Sequence, residues 1–501
     1  MTGTAQTVIE SDGFIARHGL WTEEQREAAV EVEARLADLD FVRLVFGDPH
    51  GLARSKTLTA ASFRVALRGG MDYSPGPFIF DTGHALGIDI FEQGGGLGIP
   101  ELTGAGDFIL VPDPLTFRLM PHTRSRTGWV IGDEYLRSGA PHPLSCRAVL
   151  RRLVTGLRSR DQEFTVGLEV EWYLTRLAGD QGPAQVGGFG VQGGIPRVEP
   201  VNLGYQFNLD GYIDALEPVL QPVAEALLEL DLPLRTFEHE SGPGQLEFTF
   251  APMEGLAAAD AMLLFRTVTK QVCARRGHHA SFMGLPGLAG FDASGWHLHQ
   301  SLARRSSGQN LFAGDSTGTL LSELAMGYLG GLIEHAADAP LLCIATASGY
   351  RRLGDEFSLS PDRVGWAPEN RGAFLRVLGG FGDPATHVEN RIGEPCANPY
   401  LYLASQLAAG MDGVDRALVP PAAADHPHAP GAPRLPSNLA DALAAFERSR
   451  FYRSVLGGPL FELLGRLKRS ELRRYEDWLS RAASTAAAIG EWEQREYFAI
   501  Y

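Results

Sequence analysis

The amino-acid sequence predicts an α+β fold. Residues 22–38, TEEQREAAVEVEARLAD, have the Thr cap, acidic first turn and apolar spacing of an amphipathic helix. Residues 41–58 predict a strand, a Gly/Pro turn and a second strand, and residues 107–113, DFILVPD, predict a further strand. Beyond residue 144, strands and long helices follow one another without a regular βαβ alternation, which favours α+β over a doubly wound sheet.

A Pro-rich connector suggests two domains. The stretch GAPHPLSCRAVLRRLVTGL, which starts at residue 139, joins a turn-rich segment to a new helix near residue 144. We therefore expect an N-terminal domain over residues 1–143 and a larger domain over residues 144–501. Residues 178–200 are rich in Gly and Pro and predict a surface insertion, and residues 420–436 predict an irregular Pro/Ala loop.

Composition narrows the classes of partner. The formal net charge of −16 argues against non-specific binding to nucleic acid or to an anionic membrane, since both would repel the chain. The four cysteines are widely spaced and form no CxxC pair, so we expect neither a disulfide framework nor a thiolate zinc site. With no basic-then-apolar N-terminal segment and no long uncharged apolar run, we expect a cytoplasmic protein that does not cross a membrane.

Two strands carry paired acidic residues. In residues 164–174, FTVGLEVEWYL, Glu169 and Glu171 are two positions apart and share one face of a strand. Residues 235–250, RTFEHESGPGQLEFTF, predict a hairpin with Glu240 and Glu247 on one polar face. An amphipathic edge strand would also explain the first pair, but adjacent like charges cost free energy unless a cation lies between them.

Histidines and arginines are further candidates for binding metal ions and phosphate groups. SGWHLHQSL, residues 294–302, places His297 and His299 on one strand face, although a half-buried strand alone would give the same pattern. Within residues 387–413, Glu389 and Arg391 precede a turn and a helix of small residues and leucines. Carboxylates with one imidazole suit Mg²⁺ or Mn²⁺, and two such ions commonly accompany ATP phosphates. Without a GxxxxGK[ST] loop, the arginines of residues 349–377 would hold the phosphates, although each alone also fits a surface position.

Six motifs in a fixed order resemble the glutamine synthetase family. They are EVE, HESGPGQLE, SGWHLHQSL, YRRL, NRGAFLR and ENRIGEPCANPYL, and the resemblance runs from about residue 40 to the C-terminus. It implies a small β-grasp-like domain, and a catalytic domain built on a curved antiparallel sheet. It also implies a homo-oligomeric ring, a dodecamer among the family's forms, with active sites between subunits.

The resemblance also implies an activity and a set of site residues. Family members use ATP to phosphorylate the side-chain carboxylate of glutamate, and an amine then attacks the acyl phosphate to give an amide. Two or more Mg²⁺ or Mn²⁺ ions are implied, one on Glu171, Glu240 and Glu247 and another on Glu169, His297 and Glu389. ATP and its phosphates would contact His299, Ser301, Arg371 and Arg376. Glutamate and the transferred group would contact Arg352, Arg391, Glu171 and Ala293, with Arg371 and Arg352 counted as catalytic.

Two departures from the family pattern concern the amine. The ammonium-binding Asp-Gly-Ser-Ser loop is replaced by GMDYSPGPF, residues 70–78, where Ser74 stands for the aspartate. Ser358 stands where a glutamate normally closes the site and takes the ammonium proton, with Asp355 and Glu356 as nearby substitutes and Glu356 as the predicted catalytic residue. A desolvated ammonium needs a counter-charge. We therefore predict an organic primary amine, as in the γ-glutamylpolyamine, γ-glutamylalkylamide and γ-glutamylanilide synthetase branches, near Tyr73, Ser74, Phe78 and Tyr205.

Three alternatives stay open from sequence. Asp292 and Ala293 replace the family's Asn-Gly where the amino-acid end of glutamate should bind, so a different acid substrate is one alternative. An ordinary ammonia-using glutamine synthetase, with Asp355 or Glu356 closing the site, is the second. A catalytically inactive scaffold or nitrogen sensor is the third, although all six predicted metal ligands are present.

Overall fold

Two β-sheets organise the chain in this computed structural model. The structure describes residues 12–183, 185–314, 318–353, 359–424, 426, 431–482 and 486–501. Within these ranges, a six-stranded sheet precedes residue 136 and a ten-stranded sheet follows residue 161. The α+β prediction is confirmed, because the large sheet is antiparallel except for one pair of strands.

The small sheet forms the β-grasp-like part of the chain. Its strand order is β2-β1-β6-β4-β3, with β5 also paired to β6, and β1 runs parallel to β6. Buried side chains such as Leu44, Phe46 and Phe63 fill the space between this sheet and the helix that follows β2. The strands are β1 (Phe41–Gly47), β2 (Ala53–Thr59), β3 (Met71–Tyr73), β4 (Phe108–Pro112), β5 (Arg118–Leu119) and β6 (Thr127–Tyr135).

The large sheet is built around one long strand, β7 (Gln162–Leu177). The main strand order is β14-β15-β16-β13-β7-β10-β9, and three short strands also pair with β7. Along β7, Val166, Leu168 and Val170 are fully buried on one face, and the alternate residues point to the other face. The remaining strands are β8 (Val198–Pro200), β9 (Leu234–His239), β10 (Gln245–Phe250), β11 (Met253–Glu254), β12 (His278–Ser281), β13 (Trp296–Arg304), β14 (Trp366–Pro368), β15 (Leu375–Leu378) and β16 (His387–Asn390).

Helices pack against both sheets and against one another. The helices are α1 (Phe14–His18), α2 (Glu23–Arg35), α3 (Ala60–Gly69), α4 (Gly76–Ile79), α5 (Cys146–Arg158), α6 (Asp210–Glu229), α7 (Gly255–Ala274), α8 (Glu323–Glu334), α9 (Pro340–Cys343), α10 (Ala347–Tyr350), α11 (Pro399–Asp415), α12 (Leu439–Arg448), α13 (Arg450–Leu456), α14 (Gly458–Arg481) and α15 (Ala486–Tyr497). Helices α8 and α11 cross at glycines, and a Cβ on Gly413 would lie 2.1 Å from the carbonyl oxygen of Gly327. Among the described residues, no helix is long and apolar enough to cross a bilayer.

A buried ion network joins the small sheet to the helices behind the large sheet. Arg147, on α5, contacts Asp113 at 2.9 Å, Asp133 at 2.6 Å and Asp260 on α7 at 2.6 Å. The guanidinium of Arg147 is almost inaccessible to solvent. The three carboxylates neutralise its positive charge, which would otherwise be buried without a partner. The predicted domain boundary at 143/144 falls between β6 and α5, beside this network, and stays a prediction.

Candidate active site

Strand register brings the predicted site residues onto one face of the large sheet. Residues paired across antiparallel strands point to the same face and lie close together. In this register Glu247 of β10 pairs with Glu171 of β7, and Glu169 pairs with His297 of β13. His299 in turn pairs with Glu389 of β16, and Glu389 with Arg376 of β15.

The first ligand group consists of Glu169, His297 and Glu389. One donor atom from each lies within 4.8 Å of the others. His297 Nδ1 is 2.6 Å from Glu169 Oε1 and 3.8 Å from Glu389 Oε1. This is the group that the family resemblance implies, and its members come from three neighbouring strands.

The second ligand group consists of Glu171, Glu247 and His297, also with donor atoms within 4.8 Å of one another. The predicted set had Glu240 in place of the histidine, and Glu240 is in neither group formed by the described residues. The physical reason is its place in the hairpin. Glu240 follows the last residue of β9, where its backbone N–H donates to Gln245 O at 2.9 Å, so it sits at the turn.

The carboxylates of this face destabilise one another. Burial and the charge of Glu240 raise the pKa of Glu171 to about 8. Burial and the charges of Glu238 and Glu169 raise the pKa of Glu240 to about 7, and burial with neighbouring glutamates raises that of Glu247 to about 10. In this cluster, burial and mutual repulsion of the carboxylates outweigh the charges of Arg352 and Arg371, which fits divalent cations bound by oxygen and one imidazole.

Glu169 and Glu389 behave in the opposite way. Burial alone would raise the pKa of Glu169, but hydrogen bonds from His297 and His299 outweigh it and hold the pKa below its ordinary value. For Glu389, burial is outweighed by the charges of His297 and Arg391, so its pKa is also lowered. The two ends of the face therefore differ. The end with Glu171, Glu240 and Glu247 has excess negative charge, whereas Glu169 and Glu389 are paired with histidines and an arginine.

Three of the predicted arginines lie on or beside this face. Arg376 Nη1 donates to Glu389 Oε2 at 3.3 Å, and its Nη2 donates to Glu369 Oε2 at 2.9 Å. Arg391 Nη1 donates to the other oxygen of Glu389. Arg371 is exposed, and its charge partly opposes the rise in the pKa of Glu240.

The guanidinium of Arg352 is bonded to the backbone. Its side chain is buried, Nη1 donates to Ser294 O at 2.9 Å and Nη2 donates to Ile392 O at 2.7 Å. Both acceptors are backbone carbonyls of the loops that flank β13 and β16, so the guanidinium ties those loops together. Direct contact between Arg352 and a substrate stays a prediction.

A cavity of about 480 Å³ opens beside the first ligand group. Its lining includes Glu169, His299, Ser301 and His387, together with apolar positions such as Leu378 and Phe250. The volume lies in the range of sites for small molecules and cofactors. His299 and Ser301, both predicted to contact ATP or its phosphates, thus share one cavity.

The predicted acid-substrate positions lie at the other end of the face. Gln245 Nε2 donates to Glu171 Oε2 at 2.9 Å and to Ala293 O at 3.0 Å. Tyr205 is 71% exposed, and its backbone N–H donates to Ser241 O at 2.7 Å, next to Glu240. Tyr205 therefore stands at the rim of the carboxylate cluster.

The small-sheet candidates for the amine pocket are not brought to this face within one chain. Ser74 follows β3, is exposed, and accepts a hydrogen bond from Gly76 N at 3.3 Å. Phe78 is buried in the core of the small sheet and stacks on His142 with 5.1 Å between ring centroids, and its assignment to the amine pocket stays a prediction. Tyr73 likewise stacks on Phe108. The predicted acid Glu356, with Asp355 and Ser358, lies outside the described residues.

Sequence reasoning gave no role to three residues of the site. Glu238 pairs with Glu247 across the hairpin, and strand parity already placed it on the polar face. Gln245 bridges Glu171 and Ala293. His387 contacts His299, and its position two residues before Glu389 indicated the same strand face.

Comparison with known families gives one matching model. Residues 143–486 match the model described as the glutamine synthetase catalytic domain. The matched range contains every strand of the large sheet and both ligand groups.

Similar proteins include an amide synthase and several glutamine synthetases. The γ-glutamylanilide synthase of an Acinetobacter species is 41% identical over 494 residues, which cover 97% of this chain and 98% of that protein. The glutamine synthetase of Methanosarcina mazei is 28% identical over 475 residues, which cover 92% and 95%. Among solved structures, GmaS without ligand superposes with a TM-score of 0.74 at 25% identity, covering 89% of this chain and 95% of GmaS.

Proposed function

The chain belongs to the glutamine synthetase family, and from that premise we propose that it is an ATP-dependent ligase joining the γ-carboxylate of glutamate to an organic primary amine. A γ-carboxylate oxygen attacks the γ-phosphorus of ATP and releases ADP. The amine nitrogen then attacks the acyl carbon of γ-glutamyl phosphate, loses a proton and releases phosphate. The product is a γ-glutamylamide. The observation that carries this proposal is near full-length similarity to a γ-glutamylanilide synthase, combined with the carboxylate face.

We assign the two ligand groups to divalent metal ions. The family uses ATP with such ions, and we propose Mg²⁺ or Mn²⁺ here because the donors are carboxylate oxygens and one imidazole. When bound, the ions would neutralise phosphate charge and orient the nucleotide. Glu169, His297 and Glu389 would hold one ion. Glu171 and Glu247 would hold the other, with Glu240 reaching it from the hairpin turn.

The residues around the cavity would bind the nucleotide. His299 and Ser301 line the cavity, and Arg376 and Arg371 lie on and beside the same sheet face. Planar guanidinium groups suit the paired oxygens of phosphates. We propose that these four side chains hold ATP with its transferable phosphate towards the ligand groups.

The residues around Glu171, together with Arg391, would bind glutamate and the amine. Gln245 holds Glu171 next to Ala293, whereas Arg391 is buried beside Glu389 of the first ligand group. Arg352, which ties together the loops that flank β13 and β16, would contact the substrate carboxylate or the transferred group with Arg391. Tyr205 would contact the organic part of the amine, and Glu356 would accept the amine's proton.

We also propose the organisation of the protein in the cell. Ser74 would reach an active site only across a subunit boundary, since it lies on the small sheet of its own chain. A homo-oligomeric ring, such as a dodecamer, would provide that boundary. We also propose a domain boundary at 143/144 and a cytoplasmic location. The four cysteines are buried and free, which suits a reducing compartment.

The test is a comparison of amines. Purified protein is supplied with Mg²⁺, ATP and glutamate, and ADP release is measured with ammonia, short alkylamines, ethanolamine, polyamines and aniline, with mass spectrometry of the product. We expect kcat/KM for at least one organic amine to exceed that for ammonia. Turnover with ammonia alone would support the second candidate, a glutamine synthetase, which the 28% identical relatives favour. No turnover with any amine would contradict both.

A further inference from the structure

Two histidines from different strands meet at the wall of the cavity. His299 on β13 and His387 on β16 both line it, and His299 Nδ1 lies 2.9 Å from His387 Nε2. Their ring centroids are 5.0 Å apart and the ring planes are inclined by 58°, so they meet edge to edge through nitrogen atoms and do not stack. The contact is a hydrogen bond between two side chains that can each donate or accept.

The direction of this hydrogen bond follows from the far side of His387. His387 Nδ1 lies 2.5 Å from the carbonyl oxygen of Ala385, and a carbonyl can only accept. His387 therefore donates from Nδ1, and in the neutral ring its Nε2 carries the lone pair. It follows that His299 donates its Nδ1–H to His387. Its Nε2 lies 3.0 Å from the carboxylate oxygen Glu169 Oε2, which only accepts, so both ring nitrogens of His299 act as donors.

The backbone that carries His387 is itself held in place. Asn310 Nδ2 donates to Pro384 O and to Thr386 O, each at 2.7 Å. These bonds fix the segment on which Ala385 and His387 lie. The acceptor offered to His299 is therefore set before any ligand binds.

The residue that pairs with His299 on β7 has no side chain that could orient the His299 ring. Across the strands His299 pairs with Gly167, which has no side chain, and a Cβ built on Gly167 would lie 3.2 Å from the Cβ of His299. With its Nδ1 bonded to His387, His299 turns Nε2 towards Glu169 Oε2 at 3.0 Å and towards the cavity. A ring rotated by 180° about its Cβ–Cγ bond would present carbon atoms there instead.

We propose that His387 is a positioning residue for the ATP half of the reaction, acting by accepting the Nδ1–H of His299 and so holding the Nε2 edge of His299 towards the nucleotide. This inference rests on the proposed function, in which His299 contacts the nucleotide phosphates. It goes beyond that function by giving His387 a role. It also predicts that loss of His387 affects nucleotide binding and leaves glutamate and amine binding nearly unchanged.

The test compares His387→Phe, which keeps a planar ring without an acceptor, with His387→Gln, whose amide oxygen can accept the His299 proton. For a histidine that binds a metal ion, removing the side chain that orients it typically costs about 10- to 100-fold, and we expect the lower end for His299. We expect His387→Phe to raise the KM and Kd for Mg·ATP by about tenfold while the KM values for glutamate and amine change by less than about threefold. His387→Gln should recover most of the nucleotide affinity. His122→Phe, at a half-buried histidine that bonds Gln271, is the matched control and should match the wild type.

The outcomes separate this inference from the proposed function. Equal nucleotide affinity of His387→Phe and wild type would overturn the inference and leave the ligase proposal intact. Equal losses in His387→Phe and His387→Gln, or equal increases in all three KM values, would indicate a structural role and would also overturn it. If the wild type binds no Mg·ATP, the proposed function fails and the inference fails with it. Melting temperatures of all variants show whether each one folds.

Discussion

The carboxylate face predicts that one neutral substitution will stabilise the metal-free protein. Glu247 lies with Glu171 and His297 within 4.8 Å, and burial with neighbouring glutamates raises its pKa to about 10. Replacing Glu247 by Gln keeps the shape and removes the charge. Without metal ions, Glu247→Gln should therefore be more stable than the wild type.

Two routes give the size of this effect. Two unit charges about 5 Å apart repel by about 3 kcal/mol at an effective dielectric constant of about 20. Alternatively, Glu247 is protonated in the folded protein. Protonation at about pH 7.5, which is three pH units above the ordinary pKa of 4.5, costs about 4 kcal/mol. We therefore expect Glu247→Gln to raise the free energy of unfolding by about 2–4 kcal/mol in the absence of metal ions.

The assay is urea unfolding in EDTA and in Mg²⁺. In Mg²⁺ the order should reverse, because a neutral amide is a weaker ligand than a carboxylate for a hard divalent cation. Glu163→Gln is the matched control, since Glu163 lies on the same strand and the same face of β7, about 26 Å from Glu171. The reasoning is refuted if Glu247→Gln is less stable than the wild type in EDTA, or if Glu163→Gln gains as much.

Three further predictions concern pH, the domain junction and helix packing. Because the pKa values of Glu171 and Glu240 are raised from 4.5 to about 8 and about 7, the folded metal-free protein binds more protons than the unfolded chain. Its melting temperature should thus fall as pH rises from about 5 to 8, and a flat profile in EDTA would contradict this. Asp260→Ala should cost about 3 kcal/mol in chemical unfolding by leaving a buried guanidinium short of a partner, whereas exposed Asp415→Ala should cost under about 1 kcal/mol. Gly413→Ala should lower stability by about 1–3 kcal/mol in the same assay, because its Cβ would meet a backbone oxygen of α8 at 2.1 Å, and an unchanged midpoint would count against this packing.

Strand parity explains why much of the site could be predicted from the sequence. Glu169 and Glu171, or His297 and His299, must share a face in any regular strand, and six motifs in order then indicated which strands meet. The large sheet, the hairpin over residues 234–250 and the helix after residue 398 all follow the predicted pattern.

Parity does not give distance or the direction of a side chain. Glu240 shares the predicted face but stands at the hairpin turn, outside both ligand groups of the described structure. Arg352 was chosen for its charge, yet its guanidinium meets backbone carbonyls that no sequence motif records. Phe78 belongs to the core of the small sheet, because apolar residues near a loop serve packing as readily as binding.

The central claim is transfer of a phosphoryl group to glutamate followed by amide formation with an organic amine. The most direct measurement supplies glutamate labelled with ¹⁸O in its γ-carboxylate, together with ATP, Mg²⁺ and the amine preferred in the panel. Attack of the carboxylate on ATP followed by attack of the amine predicts one ¹⁸O atom in each released phosphate and one in each γ-glutamylamide. Released phosphate without ¹⁸O would contradict this claim. Transfer of ¹⁸O to phosphate when ammonia is the amine, but not when any organic amine is supplied, would also contradict it.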